Sequence, residues 1–279
     1  MPELPEVETV RRGLMPRLVG RRIVRLQQRR PDLRVPMPAK FASKVEGRTV
    51  TGIDRRAKYL LIRLDDGQTL IVHLGMSGRM TLHDVESAAS HPLGRHDHVV
   101  FDMDDGWQVR FNDARRFGLM VLVADEAVAQ HKYFKSLGPE PLDEAFTGDV
   151  LAARLTGRKT PIKAALLDQK TLVGVGNIYA CEALFLAGIS PRRSAHTVKG
   201  ERAGRLVEAI KLVLNRSIAD GGSTLRDHVQ PGGELGYFQT RFNVYDRAGI
   251  ACPTRDCGHT VRRLVQAGRS TFYCARCQR

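Results

Sequence analysis

The chain begins with residues that could do covalent chemistry, Pro2 and Glu3 in the sequence PELPE at positions 2–6. Removal of Met1 would leave Pro2 as a secondary amine beside a carboxylic acid. An α-amino group titrates at roughly 7.7–8.0 in model peptides, so a sizeable fraction is neutral and nucleophilic near pH 7. A structural alternative stays open, because prolines suit the first turn of a helix and acids suit its N-terminal dipole.

Four of the five cysteines lie within the last 28 residues, at Cys252, Cys257, Cys274 and Cys277. They form a C-x4-C pair and a C-x2-C pair separated by sixteen residues. Two close pairs of thiolates at this spacing predict one structural Zn²⁺ in a tetrahedral site. Cys181 lies in an apolar helical pattern instead, and we expect it to be buried as a small hydrophobic residue.

Charge narrows the class of partner. Lys and Arg total 44 against 30 Asp and Glu, which gives a formal net charge of +14. Such an excess favours a polyanionic partner, most often nucleic acid. No apolar run approaches the about 18 residues of a membrane-spanning helix. Residues 1–8 also lack the basic and apolar regions of a signal peptide, so we expect a cytoplasmic protein.

Two further stretches have the composition of phosphate-binding surfaces. The sequence GVGN at 174–177 precedes a predicted helix, whose free N–H groups could bind a phosphate, although an ordinary tight turn would look the same. The zinc segment contains Arg262, Arg263 and Arg269. A small hairpin cannot bury many side chains, so we expect these arginines to face either DNA phosphates or solvent.

Glycine-flanked turns carry apolar side chains beside cations. The sequence NDARRFG at 112–118 places Phe117 near two arginines, and HLGMSG at 73–78 places Met76 on a second turn. An apolar wedge next to a cation could fill the gap left by an extruded base. Lys58 immediately precedes a predicted strand, where a lone lysine is usually solvated.

Helices and strands must position these residues. Positions 3–19 predict an amphipathic helix that holds the N-terminus and ends at Pro16 and Gly20. Short alternating runs with Gly-containing turns from about 21 to 125 predict an antiparallel sandwich. The stretch from Ser87 to Arg95 has no clear periodicity and predicts a loop. After a connection at 138–141 the pattern becomes helical, until two strands surround Gly268 in the zinc segment.

Taken together, these motifs resemble the bacterial formamidopyrimidine-DNA glycosylase family, which removes oxidised purines from DNA. The resemblance covers essentially the whole chain, from the PELPE start and Lys58 to TPIK at 160–163, VGNIYA at 175–180 and RSTFYCARC at the end. It implies an α+β protein of two domains. The first is an N-terminal antiparallel β-sandwich flanked by helices, and the second a helix–two-turns–helix domain with a β-hairpin zinc finger.

The resemblance also implies boundaries and a partner. We expect a catalytic sandwich domain at 1–135, a linker at 136–148, a helix–two-turns–helix domain at 149–240 and a zinc finger at 241–279. Damaged double-stranded DNA would lie between the two domains of a monomer. The loop around 223–238 corresponds to one that closes over the flipped base, and its base-contacting residues are not assignable.

Residue roles follow from the same resemblance. Pro2 would be the nucleophile that forms a Schiff base, Glu3 its proton donor, and Lys58 and Arg269 the cations that support β- and δ-elimination. The remaining positions match DNA contacts of the family. Those that match phosphate or DNA contacts are His96, Arg115, Lys159, Lys163 and Asn177, and those that match residues filling the emptied base stack are Met76, Arg115 and Phe117.

Two other functions stay open. A glycosylase of the endonuclease VIII type, acting on oxidised pyrimidines, would share the nucleophile and the zinc finger. Leu4, the HLGMSG turn and NIYA resemble the purine-specific branch instead. A non-catalytic zinc-finger DNA-binding protein would keep Arg269 and the cysteines, but would have no use for Pro2, Glu3 and Lys58 together.

Overall fold

The computed structural model describes residues 2–224 and 229–279. Their contacts divide into two compact units. The first runs to Lys135 and includes Asp220–Tyr237, and the second comprises Ser136–Ala219 and Phe238–Arg279. The four-part division expected from the sequence stays a prediction. Among the described residues, no helix is long and apolar enough to cross a membrane.

Among its described residues, the first unit contains three α-helices and two antiparallel sheets. Sheet order is β1-β6-β7-β5 in one and β2-β3-β4-β8 in the other. The elements in chain order are α1 (Leu4–Leu18), β1 (Ile23–Gln28), α2 (Phe41–Val45), β2 (Val50–Arg56), β3 (Tyr59–Leu64), β4 (Gln68–His73), β5 (Arg79–His83), α3 (Val85–Ser90), β6 (Asp97–Met103), β7 (Gln108–Asn112) and β8 (Leu119–Ala124).

Side chains from both sheets and from the apolar face of α1 form one continuous core. In β2, Val50 and Ile53 are buried in this core while Thr51 and Asp54 are exposed, and an irregularity in the strand register between Val50 and Gly52 accounts for the spacing of three. The predicted sandwich is therefore confirmed. The predicted loop from Ser87 to Arg95 is partly wrong, because α3 occupies its first residues and begins at a side-chain cap, where Asp84 Oδ1 accepts from Ser87 N at 2.7 Å.

Helix α1 begins directly after Glu3, with a proline in its first turn. The prediction that Pro16 ends it is wrong, because the helix continues to Leu18. A proline removes only its own N–H from the hydrogen-bond ladder. The amide of Val19 still donates to Met15 O at 3.1 Å, and the chain turns away at Gly20, whose φ is +80°.

The second unit is helical and ends in a two-stranded hairpin. Its strands are joined by Ala267 and Gly268, whose φ values of 47° and 72° give the two-residue turn that fits strand twist. Fold class is thus confirmed for both units. The elements are α4 (Gly148–Leu155), α5 (Ile162–Leu167), α6 (Asn177–Leu186), α7 (Glu201–Ala219), β9 (Arg262–Gln266) and β10 (Arg269–Tyr273).

A buried ion cluster fastens α1 to β2. Glu8, 7% exposed, accepts from Arg11 Nη2 and Arg12 Nε at 2.8 Å and from Arg55 Nε at 3.3 Å. Burial alone would raise the pKa of Glu8. Hydrogen bonds from Arg11 and Arg12, with the charges of Arg11 and Arg55, outweigh burial and lower that pKa to about 2.

We predict that Glu8→Gln lowers the free energy of unfolding at pH 7 by about 1–2 kcal/mol, after allowance for solvent screening. Because the folded-state pKa is lowered, the carboxylate stabilises the protein above its unfolded pKa of about 4.5, and this contribution disappears as the pH falls towards 2. Urea unfolding of both proteins between pH 2 and pH 7 measures the difference.

Asp54→Asn is the matched control. Its carboxylate accepts from Arg63 Nε at 2.6 Å, but both side chains are about half exposed, so we expect a change below about 1 kcal/mol. A difference between wild type and Glu8→Gln that does not shrink in acid would contradict the assignment to charge.

Candidate active site and zinc centre

Pro2 and Glu3 are buried at the start of α1. The amide of Glu3 donates to Glu6 Oε2 at 2.8 Å, and the other oxygen of this carboxylate, Oε1, accepts from Ser223 N at 2.9 Å. Glu6 is 3% exposed. One buried carboxylate therefore fixes the backbone of the predicted proton donor and also the start of the segment 220–237. The sequence analysis gave Glu6 no role.

Lys58 lies in the turn between β2 and β3 and is 7% exposed, so a solvated surface lysine is excluded. The turn is tied to α1 by Arg55. Its Nε lies 3.3 Å from Glu8 Oε2, and its Nη1 donates to Ala57 O at 3.0 Å. Because Ala57 immediately precedes Lys58, the ion cluster on α1 also fixes the backbone that carries this lysine.

His73 lies next to this lysine at the end of β4. Burial, followed by the positive charge of Lys58, lowers the pKa of His73 to about 4. The ring is therefore neutral at pH 7, and its Nδ1 accepts from Gly75 N at 2.9 Å. Neutral His73 thus shapes the turn that follows without adding a second cation beside Lys58.

The turns at 73–78 and 112–118 form one hydrogen-bonded unit. Asp113, fully buried, accepts from Ser77 Oγ at 2.6 Å and from Gly118 N at 2.8 Å. Ser77 Oγ in turn accepts from Arg115 N at 3.1 Å. A Cβ on Gly75 would overlap the backbone between Phe117 and Gly118, so only glycine allows this approach.

This unit displays the predicted stack-filling residues side by side. Met76 is 37% exposed and Phe117 is 45% exposed, and the guanidinium of Arg115 lies 4.8 Å from the centre of the Phe117 ring. His96 is beside them, since its carbonyl accepts from Asp113 N at 3.0 Å. The structure therefore brings together two motifs, at 73–78 and 112–118, and the backbone of His96, which the sequence analysis treated separately.

The predicted base-covering loop at 223–238 is described only in part, because residues 225–228 lie outside the described residues. Its two ends pair, with an isolated bridge between Ser223 and Tyr237 and a bond from Tyr237 N to Asp220 O at 2.9 Å.

In the second unit, two predicted DNA contacts converge on the zinc hairpin. Lys163 is completely buried, and its Nζ donates to Ser270 O at 3.0 Å and to Thr271 Oγ1 at 2.7 Å. Asn177 begins α6 as predicted, and its Nδ2 donates to the same Ser270 carbonyl at 3.0 Å. Both side chains thus hold the backbone next to Arg269.

Arg269 itself is exposed at the first position of β10, directly after the hairpin turn. Lys159 is also exposed, just before α5. Arg269 and Lys159 are exposed and can therefore contact a ligand. Lys163 differs from them, because it is buried and its amine is bonded to the hairpin. A direct DNA contact for Lys163 stays a prediction without support from this geometry.

The four clustered cysteines form the zinc centre. Their Sγ atoms all lie within 4.8 Å of one another, with Cys252 and Cys277 3.8 Å apart and Cys257 and Cys274 3.6 Å apart. A tetrahedron of sulfurs at a Zn–S distance of about 2.3 Å has edges of about 3.8 Å. The donor set therefore fits one structural Zn²⁺, as predicted.

The segment before the zinc finger is held by Glu182 of α6, which is 1% exposed. Its carboxylate accepts from the Asn243 amide and side chain and from the amides of Val244 and Tyr245, at 2.8–2.9 Å. Cys181, buried as predicted, packs beside this segment in the same apolar cluster as Cys257 and Cys274.

Three family models match the chain in succession. The formamidopyrimidine-DNA glycosylase N-terminal domain matches residues 1–120, the H2TH domain of the same glycosylase matches 137–229, and the zinc finger found in FPG and IleRS matches 249–279.

Whole-length relatives agree with these models. The formamidopyrimidine-DNA glycosylase of Beijerinckia indica is 54% identical, with all of both chains covered. The crystal structure of the MutM (Fpg) protein from Thermus thermophilus is 41% identical, with a TM-score of 0.86, covering 99% of this chain and 98% of that one. A Lactococcus lactis Fpg mutant, solved in complex with DNA containing Fapy-dG, is 34% identical, with a TM-score of 0.88 and full coverage of both chains.

We predict that Cys257→Ser lowers zinc content and loosens the hairpin that carries Arg269, because a serine hydroxyl replaces a thiolate ligand. DNA affinity should fall about tenfold or more, because a backbone contact of the hairpin is lost. Zinc content is measured by mass spectrometry and DNA affinity by fluorescence anisotropy.

Cys181→Ser is the control, since it alters a buried thiol in the same cluster without removing a zinc ligand. It should retain zinc and DNA affinity. The thermal unfolding of the first unit should be the same in both variants. Loss of its cooperative transition in Cys257→Ser would show that the zinc centre supports more than the second unit.

Proposed function

The chain belongs to the formamidopyrimidine-DNA glycosylase family, and we propose that it excises oxidised purines from DNA through a covalent intermediate on Pro2 and then cleaves the strand. The observation that carries the proposal is the mounting of Pro2. This residue is buried at the start of a helix whose Glu8 is bonded to Arg55, and Arg55 in turn holds the turn of Lys58. The nucleophile Pro2 and the cation Lys58 are thus held by the same set of contacts between α1 and β2.

The first step requires that Met1 be removed. While Met1 is attached, the Pro2 nitrogen is a tertiary amide without a nucleophilic lone pair. As a free secondary amine it attacks C1′ of the flipped nucleotide, the bond to the damaged base breaks, and the base leaves with the bonding electrons and a proton. Glu3 protonates O4′ as the sugar ring opens to an iminium ion.

Strand cleavage follows from the same intermediate. The iminium acidifies the 2′ carbon, so loss of a 2′ proton expels the 3′ phosphate and a second elimination expels the 5′ phosphate. Lys58 and Arg269 bind these phosphates and stabilise the charge that develops as they leave. Hydrolysis of the final iminium ion returns the Pro2 amine.

DNA is held by residues of both units. The exposed Lys159 and the half-buried His96 contact phosphates, Asn177 lies at the start of α6, where the helix N-terminus favours a phosphate, and Arg115 faces the base left unpaired by flipping. Met76 and Phe117 fill the emptied stack, which suits two exposed apolar side chains on adjoining, braced turns. One chain supplies every group that the reaction needs, so we propose that it acts as a monomer on damaged duplex DNA.

Lys163 has a different role in this proposal. Its buried amine is bonded to Ser270 O and Thr271 Oγ1, so it positions the strand that presents Arg269 rather than contacting DNA itself. A lysine of this kind acts on elimination through the residue that it holds.

We predict that the protein lacking Met1 is trapped by borohydride on a duplex containing 8-oxoguanine opposite cytosine, because reduction makes the Schiff base permanent. A preparation that retains Met1 should give no trapped complex. Gel electrophoresis measures the complex, and peptide mass spectrometry should place the adduct on Pro2. Trapping at a lysine, or equal trapping with Met1 retained, would contradict the proposal.

The same assay separates the two other functions. Preferential trapping on thymine glycol would favour the pyrimidine-specific, endonuclease VIII type of enzyme. Tight binding to damaged DNA without any trapped complex would favour a non-catalytic zinc-finger protein.

We predict that Lys163→Met slows δ-elimination about tenfold, because it leaves the Ser270 carbonyl and the Thr271 hydroxyl without the buried amine and frees the backbone beside Arg269. Products of β-elimination should therefore accumulate, as we also expect for Arg269→Ala. Product sizes on a sequencing gel give the partition, and zinc analysis confirms that the hairpin is intact.

Lys159→Met is the matched control for the lost charge. Because Lys159 is exposed, its removal should weaken DNA binding and its salt dependence without changing the ratio of products. An unchanged product ratio in Lys163→Met would exclude the positioning role.

A further inference from the structure

The segment 220–237 contacts the rest of the first unit at two places. One is Ser223, near its start, and the other is its tip, defined here as residues 230–234. Within the tip, Gln230 N donates to Glu234 O and Gly233 N to Gln230 O, both at 2.9 Å, which forms a compact turn. Pro231 is buried in this turn, although residues 232–235 are exposed. Because Pro231 is buried while the four residues after it are exposed, the tip packs against another element.

Pro231 contacts two elements of the first unit, β5 and α1. Its carbonyl accepts from Leu82 N at 2.8 Å, on the edge strand β5. Its ring lies against α1 at Gly13, where a Cβ would come within 2.8 Å of Pro231 Cδ and 2.9 Å of Cγ. Glycine at position 13 therefore makes the notch into which the proline ring fits.

Gly13 has no conformational reason to be glycine. It lies within the regular part of α1, and its φ is not among the positive values found in the described residues. Alanine would favour the helix by about 1 kcal/mol at an exposed interior position. Contact with Pro231 is the feature that explains the smaller residue.

We propose that Gly13 and Pro231 form a latch that holds residues 229–237 on the helix carrying Pro2, and that this latch determines specificity for a damaged base. The inference rests on the proposed function. Ser223 is bonded to Glu6 and Pro231 packs on Gly13, so the two described parts of the segment are both fastened to the helix that carries the nucleophile. The predicted base-covering loop is thereby held at a fixed position relative to the Pro2 amine that attacks the sugar.

Base excision and strand cleavage place different demands on the latch. Excision needs the base enclosed in the correct position, and a small misplacement of the reacting groups costs a large factor in rate. Cleavage at an abasic site has no base to enclose. The latch should therefore matter for the first reaction and leave the second unchanged.

The test is Gly13→Ala, which places a methyl group against the Pro231 ring. Single-turnover excision of 8-oxoguanine should slow about tenfold, while cleavage of a preformed abasic site stays within about twofold of wild type. Pro231→Gly should have the same effect. The double variant should be no slower than Pro231→Gly alone, because both changes open one latch.

Hydrogen exchange gives a readout that is independent of activity. The Leu82 amide should exchange faster in Gly13→Ala and in Pro231→Gly, because it loses its acceptor. Gly204→Ala in α7 is the matched control, since a Cβ there meets no atom within 4 Å. It should change neither the exchange of Leu82 nor either reaction.

The outcomes are distinguishable. Equal slowing of excision and abasic cleavage in Gly13→Ala, or no slowing of excision, would overturn the latch. Additive losses in the double variant would also overturn it, because they would mean two independent defects. Failure of the wild-type protein lacking Met1 to cleave an abasic site would instead overturn the proposed function.

Discussion

The buried carboxylate of Glu8 is the constraint on which the first unit depends. A carboxylate buried without partners would be protonated or would unfold the helix, whereas Arg11, Arg12 and Arg55 keep Glu8 ionised with a pKa of about 2. Exposed ion pairs contribute little to stability, but removing one member of a buried cluster leaves an uncompensated charge. The cluster therefore fixes the position of α1, and so of Pro2, relative to the strand that leads to Lys58.

The second unit also contains a buried carboxylate, but its partners are amides rather than arginines. The carboxylate of Glu182 accepts from the backbone amides and one side-chain amide of residues 243–245, just before the zinc finger. The four cysteines join the two ends of the finger, and Lys163 and Asn177 hold its hairpin in addition. Both side chains donate to Ser270 O, in the residue next to Arg269. Arg269 is thus presented by contacts outside the metal site.

What could be predicted from the sequence depended on short-range signals. Cysteine spacing gave the zinc site, apolar periodicity gave α1, and Gly-containing turns gave two hairpins of the sandwich. Strands β2 and β5 were missed, because their polar residues obscure the alternation. The partners of Glu6 and Lys163 could not be predicted, since they lie 217 and 107 positions away, and Lys163 was therefore taken as a DNA contact. Burial of Lys58 was equally invisible, because a lysine after two arginines looks like a surface residue.

The close contact at Gly75 fixes the two turns that carry the exposed side chains Met76 and Phe117. Met76 and Phe117 extend from separate turns, and an exposed side chain on a free turn would lose much conformational entropy on entering a base stack. Gly75 lets the two turns touch backbone to backbone, and Asp113 links them through Ser77 and the Gly118 amide. Ordering both turns is then part of folding rather than of DNA binding. In the proposed function, where Met76 and Phe117 fill the emptied stack, the energy released by stacking is then available to hold the duplex open.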